Sequence, residues 1–221
     1  METTARGDVP KALQTIAYIS IPNSADLEFL LWDLQDAIAA YARISGTALP
    51  RPVVGLEADD ADATVDGIVL AVDDAFDDEA MTAVEQILDR FGGTGTRVYV
   101  VVQAVCEDPE QAHVVVGRLR KACERQELSW CGGVIACTGS GIVALLHSPR
   151  MGLLRRPFSE AIDKLVGAVR MGCSVKHAQR LGGSDAEDVD TNGTVCAEPA
   201  MPAWLWQFCM KRLCARTQSN I

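Results

Sequence analysis

The stretch TIAYISIPNSADLEFLLWDLQDAI, residues 15–38, carries the pattern that decides the fold. The apolar run over 15–21 predicts a β-strand, which the polar residues after it bring to an end. Apolar side chains then recur every three or four residues from Leu27 to Ile38, which predicts an amphipathic helix. Asn23 or Ser24 can cap this helix by accepting a backbone N–H bond.

The same alternation of strand and helix continues along the chain. Further strands are predicted at 52–57, 67–72, 97–105 and 133–137, and further helices at 81–91, from Asp108 to Cys123 and from Pro157 to Val169. Strands joined by helices favour a parallel sheet that is covered on both faces. We therefore expect a doubly wound, three-layer α/β/α fold with a parallel five-stranded sheet in the order 2-1-3-4-5.

The composition changes near residue 183. Residues 1–182 are predicted to form the α/β domain, 183–200 an acidic linker or loop, and 201–221 an amphipathic C-terminal helix. This helix has apolar residues at Trp204, Leu205, Phe208 and Leu213 and basic residues beside them. It can lie on a membrane surface or dock on its own domain or on a partner subunit. Docking is the favoured interpretation, because one short amphipathic helix anchors weakly.

Charge and cysteine usage exclude several classes of protein. The chain has 221 residues and a net charge of -10, which argues against a nucleic-acid-binding surface. The first residues lack a signal-peptide pattern, and no apolar run reaches the roughly 18 residues that span a bilayer. We therefore expect a cytoplasmic protein without a stable membrane anchor. The eight cysteines include no C-x-x-C pair, so reduced thiols are expected, with no metal site.

A ligand crevice is expected beyond the carboxyl ends of the strands, where the strand order reverses. The loops at 20–24, 73–78 and 138–148 are predicted to meet there. Ser20, Asn23 and Ser24 can contact a phosphate, and the glycines of the third loop allow backbone N–H groups to approach a flat ring or a second anion. Asp26 adds a negative charge beside the first loop, with no Lys or Arg to offset it.

The second loop, DDAFDDEA, is acidic. Its four aspartates would repel a phosphate, although a flavin ring or a divalent cation would tolerate one of them. The favoured alternative is a solvated helix N-terminus. Phe76 can stack on a ring or cover the edge of the core.

Three stretches together resemble the flavodoxin-like NAD(P)H-dependent FMN reductases. The first loop is similar to the family's G-S-P-R-x-N-S-x-T segment through Ser20, Pro22, Asn23 and Ser24. VEQILDRFG, residues 84–92, resembles the family's L-K-x-F-x-D-R helix. SWCGGVIACTGSGIVALL and PRMGLLRRPFSEAIDKL, residues 129–146 and 149–165, resemble the fifth strand, its loop and the last helix of flavodoxin-like proteins.

This resemblance implies an FMN-dependent oxidoreductase that takes a hydride from NAD(P)H and passes it to a small-molecule electron acceptor. FMN carries this chemistry, so no catalytic side chain is required of the protein. A homodimer is expected by the same resemblance. The alternative is a flavodoxin-like domain that has lost flavin binding and acts as a binding or assembly module. The implied cofactor-binding residues are Ser20, Pro22, Asn23, Ser24, Asp74, Ala75, Phe76, Thr138, Gly139, Ser140 and Gly141.

A basic cluster and one histidine complete the candidates. The cluster comprises Arg150, Arg155, Arg156 and Lys164. It can contact the 2′-phosphate of NADPH or an acidic substrate, or it can be a surface patch at a helix entry. His147 follows the glycine-containing loop and is the histidine best placed to approach a ligand.

Overall fold

The computed structural model describes residues 10–53, 65–92, 95–105, 109–183 and 186–218. The strands are β1 (Thr15–Ile21), β2 (Arg51–Val53), β3 (Gly67–Asp73), β4 (Arg97–Ala104), β5 (Ser129–Cys137) and β6 (Thr194–Ala197). The helices are α1 (Ala25–Ser45), α2 (Asp78–Asp89), α3 (Glu110–Arg125), α4 (Arg156–Met171), α5 (Val175–Leu181) and α6 (Ala203–Gln218). Short 3₁₀ helices lie at Ile142–Leu145 and Ala186–Asp188.

All strands of the sheet are parallel, in the order β2-β1-β3-β4-β5-β6. The predicted α/β class and parallel sheet are confirmed. The predicted number of five strands, in the order 2-1-3-4-5, is wrong because β6 adds a sixth strand beside β5. β6 has four residues and lies in the polar stretch interpreted as a linker, so its apolar pattern is too short to detect in the sequence.

The sheet separates two hydrophobic clusters. One contains the buried faces of α1, α4 and α5, and the other contains those of α2 and α3. β4 is buried along all eight residues, as expected for a central parallel strand covered on both faces. Its successive valines alternate between the clusters, with Val101 in the first and Val100 and Val102 in the second. The predicted apolar face of α1, including Leu27, Leu34 and Ile38, is confirmed as buried.

Several element boundaries differ from those predicted. β5 begins at Ser129 rather than at Gly133, because Gly132 forms an irregularity within the strand instead of a break before it. Gly132 has a φ of 89°, which favours glycine, and a Cβ there would stand 2.0 Å from the Gly193 oxygen. β2 ends at Val53, and the rest of its predicted span lies outside the described residues. The predicted start of α3 at Asp108 lies outside them too.

The C-terminal helix docks on its own domain, which was the favoured interpretation. Trp206 and Met210, one turn apart, are buried in the cluster that contains α1 and α4. Of the apolar residues noted in the sequence, Leu213 is partly buried against this cluster, whereas Trp204 and Phe208 are exposed. The helix has apolar residues on both sides, so periodicity in the sequence does not identify which side packs. None of the helices in the described ranges is long and apolar enough to cross a membrane.

Candidate functional site

Residues 20–24, which comprise the last two residues of β1 and the turn before α1 and are called here the β1–α1 loop, lie where the strand order reverses. β1 stands between β2 and β3, so its carboxyl end borders the crevice in which ligands bind in open parallel sheets. The Ser20 hydroxyl donates to Asn23 Oδ1 at 3.5 Å. Ser24 is the N-cap of α1, and its Oγ accepts from the Leu27 N–H at 3.3 Å. Pro22 and Asn23 are exposed. This β1–α1 loop therefore presents polar groups at the positive end of a long helix.

The carboxylate of Asp26 contacts the segment that follows β5. It accepts the Gly141 N–H at 2.6 Å and the Val143 N–H at 3.0 Å. The Gln103 side-chain amide contacts it at 3.5 Å. Asp26 thereby binds N–H groups at the start of the 3₁₀ helix that begins at Ile142. These donors are neutral, so the negative charge expected beside the β1–α1 loop stays in place.

Two carboxylates of the acidic loop after β3 accept hydrogen bonds from backbone N–H groups of the protein. Asp74 Oδ2 accepts the Val105 N–H at 2.7 Å, and Asp77 caps α2 by accepting the Ala80 N–H at 2.8 Å. Burial raises the pKa of Asp73, and the neighbouring charge of Asp74 raises it further. These contacts match the favoured interpretation of this loop as a helix N-terminus.

Two predicted cofactor residues of the acidic loop differ in exposure. Ala75 is exposed, whereas Phe76 is only 3% exposed and belongs to the core between the sheet and α2. Phe76 therefore covers the edge of the core, and its ring presents no open face for stacking. Among the described residues, no group of three or more His, Cys, Asp or Glu side chains is placed to hold a metal ion.

The loop after β5, residues 138–141, is bound closely by the protein itself. The Gly139 N–H donates to the Ala104 oxygen at 2.8 Å, and the Gln103 amide donates to the Gly139 oxygen at 2.6 Å. Thr138 is buried, whereas Ser140 is exposed. The structure brings the predicted residues Thr138 to Gly141 together in this β5 loop. It links them to the β1–α1 segment through Asp26, which follows the predicted loop by two residues.

Helix α6 packs against the β5 loop. The buried Trp206 indole N–H donates to the Thr138 oxygen at 2.7 Å, and its ring packs against Phe158 with centroids 5.3 Å apart. Cys214 Sγ lies 3.7 Å from the Gly141 oxygen. A cleft of about 460 Å³ remains between the loop and the helix, and its lining includes Val105, Met210 and Lys211. The sequence did not identify Gln103 or Trp206 as site residues, because neither lies in a loop after a strand.

The predicted basic cluster is largely neutralised by acidic side chains. Arg155 is buried, and its guanidinium donates to Asp33 Oδ1 at 2.5 Å and lies over the Phe29 ring. Arg150 also pairs with Asp33. The other two members of the cluster pair elsewhere, the exposed Arg156 with Glu160 and the half-buried Lys164 with Asp188. Arg155 therefore connects α1 to the segment before α4 and does not belong to a surface patch.

His147 is exposed just after the 3₁₀ helix at Ile142–Leu145.

A comparison of the chain with protein-family models finds no match, and a comparison with curated proteins finds none either.

Proposed function

We propose that this chain is an FMN-dependent NAD(P)H oxidoreductase of flavodoxin-like architecture. The observation that carries this proposal is the orientation of Asp26. Because its carboxylate oxygens accept the N–H bonds of Gly141 and Val143, they do not occupy the hydroxyl and amide groups that the β1–α1 loop offers at the start of α1. Such a helix start favours a phosphate.

The polar groups of the β1–α1 loop support the proposal at the phosphate end of the cofactor. Ser20, Asn23 and Ser24 would hold the phosphate group, and Asp74 and Ala75 would border the ring. The acidic residues after β3 are partly compensated, because Asp74 and Asp77 each accept a backbone N–H bond. Bound FMN would supply hydride transfer between NAD(P)H and a small-molecule acceptor, while the protein would supply position and electrostatics. A homodimer remains part of this proposal.

A titration of the full chain with FMN, followed by the quenching of flavin fluorescence, tests the proposal. Ser24→Ala removes a hydroxyl from the β1–α1 loop and is expected to raise the Kd for FMN about tenfold. Ser174→Ala is the matched control, because Ser174 caps α5 through the same bond, from its Oγ to the His177 N–H at 3.2 Å. The control is expected to bind FMN as the wild type does.

The variant Ser24→Gly separates the loss of the helix cap from the loss of a contact with the ligand. Glycine at an N-cap costs only a few tenths of a kcal/mol of stability, but it also lacks the hydroxyl. Equal weakening of FMN binding by Ser24→Ala and Ser24→Gly supports a direct contact with the phosphate. A wild-type chain that leaves flavin fluorescence unchanged, or equal Kd values for all variants, contradicts the proposal.

The second candidate is a flavodoxin-like module that binds a partner without flavin. It is favoured by helix α6, which covers the β5 loop through Trp206 and leaves Trp204 and Phe208 exposed on its other side. Large exposed aromatic side chains are enriched at protein interfaces. If FMN fails to bind, replacing Trp204 and Phe208 with serine is expected to abolish partner capture by the immobilised chain. Unchanged capture would exclude α6 as the binding surface.

A further inference from the structure

Two cysteine thiols meet between the last two strands of the sheet. Cys137 ends β5, Cys196 lies in β6, and their Sγ atoms are 3.4 Å apart. The strands pair in parallel with Ile135 opposite Cys196. Because side chains alternate between the faces of a strand, residues 135 and 137 share a face with Cys196. The two thiols therefore face each other across neighbouring strands.

The two cysteines differ in their access to solvent. Cys137 is fully buried, whereas Cys196 is exposed because β6 is the last strand of the described sheet. The hydrogen bond with Cys137 lowers the pKa of Cys196, against the opposing effects of burial and of the charges on Glu198 and Asp190. An exposed thiol of lowered pKa that contacts a second thiol is the arrangement found at oxidation-sensitive pairs.

Other cysteines of the described chain lie in different surroundings. Cys123 is buried, and burial raises the pKa of its thiol to about 12. Cys131 and Cys173 are buried as well. Cys209 and Cys214 on α6 are partly exposed and serve as internal references for solvent access.

We propose that Cys137 and Cys196 form a redox-active dithiol, which hydrogen peroxide oxidises to a disulfide between β5 and β6. The proposal is independent of flavin binding. Cys196 is the thiol that meets the peroxide, and Cys137 is the thiol that resolves the product.

The reaction balances with one peroxide for each pair. The Cys196 thiolate attacks the O–O bond, so that an S–O bond forms and the O–O bond breaks. The hydroxide that leaves takes up the proton that the Cys196 thiol released when it ionised and becomes water. The Cys137 sulfur, losing its proton, then attacks the Cys196 sulfur. An S–S bond forms, the S–O bond breaks, and the oxygen leaves as water. The two thiols supply two electrons, and hydrogen peroxide is reduced to two molecules of water.

The disulfide would act beside the β5 loop. The sulfur atoms must approach from 3.4 Å to about 2.05 Å. Because Cys196 pairs with Ile135 and lies diagonally from Cys137, this approach requires the ends of the two strands to shift as well as the side chains. Cys137 directly precedes Thr138, whose carbonyl oxygen accepts the Trp206 indole N–H. Oxidation would therefore attach the edge strand covalently to the strand that leads into the site.

Oxidation of the full-length reduced chain with hydrogen peroxide tests the proposal. Free thiols are alkylated afterwards and counted by intact mass, and digestion identifies linked peptides. The expected result is the loss of two alkylatable thiols, a linked pair of peptides that contain Cys137 and Cys196, and recovery of both thiols in dithiothreitol. Cys209 and Cys214 are expected to stay alkylatable at the same peroxide concentration.

Two variants separate the roles of the thiols. Cys137→Ser is expected to leave Cys196 as a sulfenic acid that dimedone traps, whereas Cys196→Ser is expected to abolish both the trapped product and the linked peptides. Cys209→Ser is the control and is expected to behave as the wild type. A linked peptide that joins Cys196 to Cys209 or Cys214, or oxidation of all exposed cysteines to the same extent with no 137–196 link, overturns the proposal. The wild-type peptide map decides the question even if a variant does not fold.

Discussion

The β1–α1 loop and the β5 loop lie at the same edge of the sheet but differ in what satisfies their polar groups. The described side-chain bonds of the β1–α1 loop are local, as in the Ser24 cap and the Ser20–Asn23 contact. The β5 loop instead receives bonds from distant parts of the chain, through Asp26, Gln103 and Trp206. A loop whose side chains bond only locally has polar groups available to a ligand. In a loop bound by distant side chains, those groups are used to hold the domain together.

The largest expected effect on stability comes from removing the side chain through which α6 packs on the β5 loop. Trp206→Ala deletes a side chain that is 1% exposed and donates to Thr138, and it is expected to lower the free energy of unfolding by about 3–5 kcal/mol. Trp204→Ala is the control on the same helix, since this side chain is 71% exposed, and it is expected to change stability by less than about 0.5 kcal/mol. Urea unfolding measures both. Equal losses of unfolding free energy in the two variants would show that the contact of Trp206 with the β5 loop does not stabilise the fold.

A smaller effect is expected at the link between the two loops. Asp26→Ala removes the acceptor of the Gly141 and Val143 N–H groups and is expected to cost about 1–3 kcal/mol of stability. Glu28→Ala is the matched control, because Glu28 is an exposed acid in the same first turn of α1. Both variants lose an interaction with the helix dipole, so the difference between their unfolding free energies reports the bonds to the β5 loop. A difference near zero would mean that these bonds do not stabilise the closed loop.

The smallest effect is expected at Asp66, which lies at the amino ends of the strands, opposite the two loops. Burial raises the pKa of Asp66, but hydrogen bonds from the Gln14 and Thr15 N–H groups, the Thr15 hydroxyl and the Lys11 charge outweigh it and lower that pKa. A carboxyl whose pKa is lower in the folded state stabilises the fold above its unfolded pKa. That stability is lost as the pH falls through the folded pKa.

Asp66→Asn is therefore expected to lower the free energy of unfolding by about 1 kcal/mol at neutral pH. The difference in unfolding free energy between variant and wild type should shrink below about pH 4. In that range the Asp66 carboxyl of the unfolded chain takes up a proton before that of the folded chain does. Urea unfolding at a series of pH values measures it, with Asp36→Asn on the exposed side of α1 as the control. A difference that persists unchanged at low pH would assign the effect to packing.

The sequence predicted the elements whose apolar pattern is long. The face of α1 that contains Leu27, Leu34 and Ile38 follows helical periodicity, and these side chains are buried as expected. β3 and β4 read as apolar runs because both of their faces are covered. β6 was missed because four residues give too little pattern, and its pairing with β5 depends on where the chain returns to the sheet.

The loops of the candidate site were predicted in position but not in their contacts. The sequence placed residues 20–24 and 138–141 at the carboxyl ends of strands, and the structure has them there, with Ser20 and Ile21 as the last residues of β1. The sequence noted the charge of Asp26, but its contact with Gly141 joins residues 115 positions apart in the chain. Arg155 likewise looked like a surface cation, although it meets Asp33 across 122 residues.

The amino-acid sequence by itself determined the layers of this protein, since strand and helix periodicity act within a few neighbouring residues and fix which side chains face the core. It also determined the local cap at Ser24, whose bond spans three residues. Only the tertiary structure decided which loop is closed, which face of α6 is buried and which thiols meet. Each of these contacts joins residues that are distant along the chain and become neighbours only when the strands take their places in the sheet.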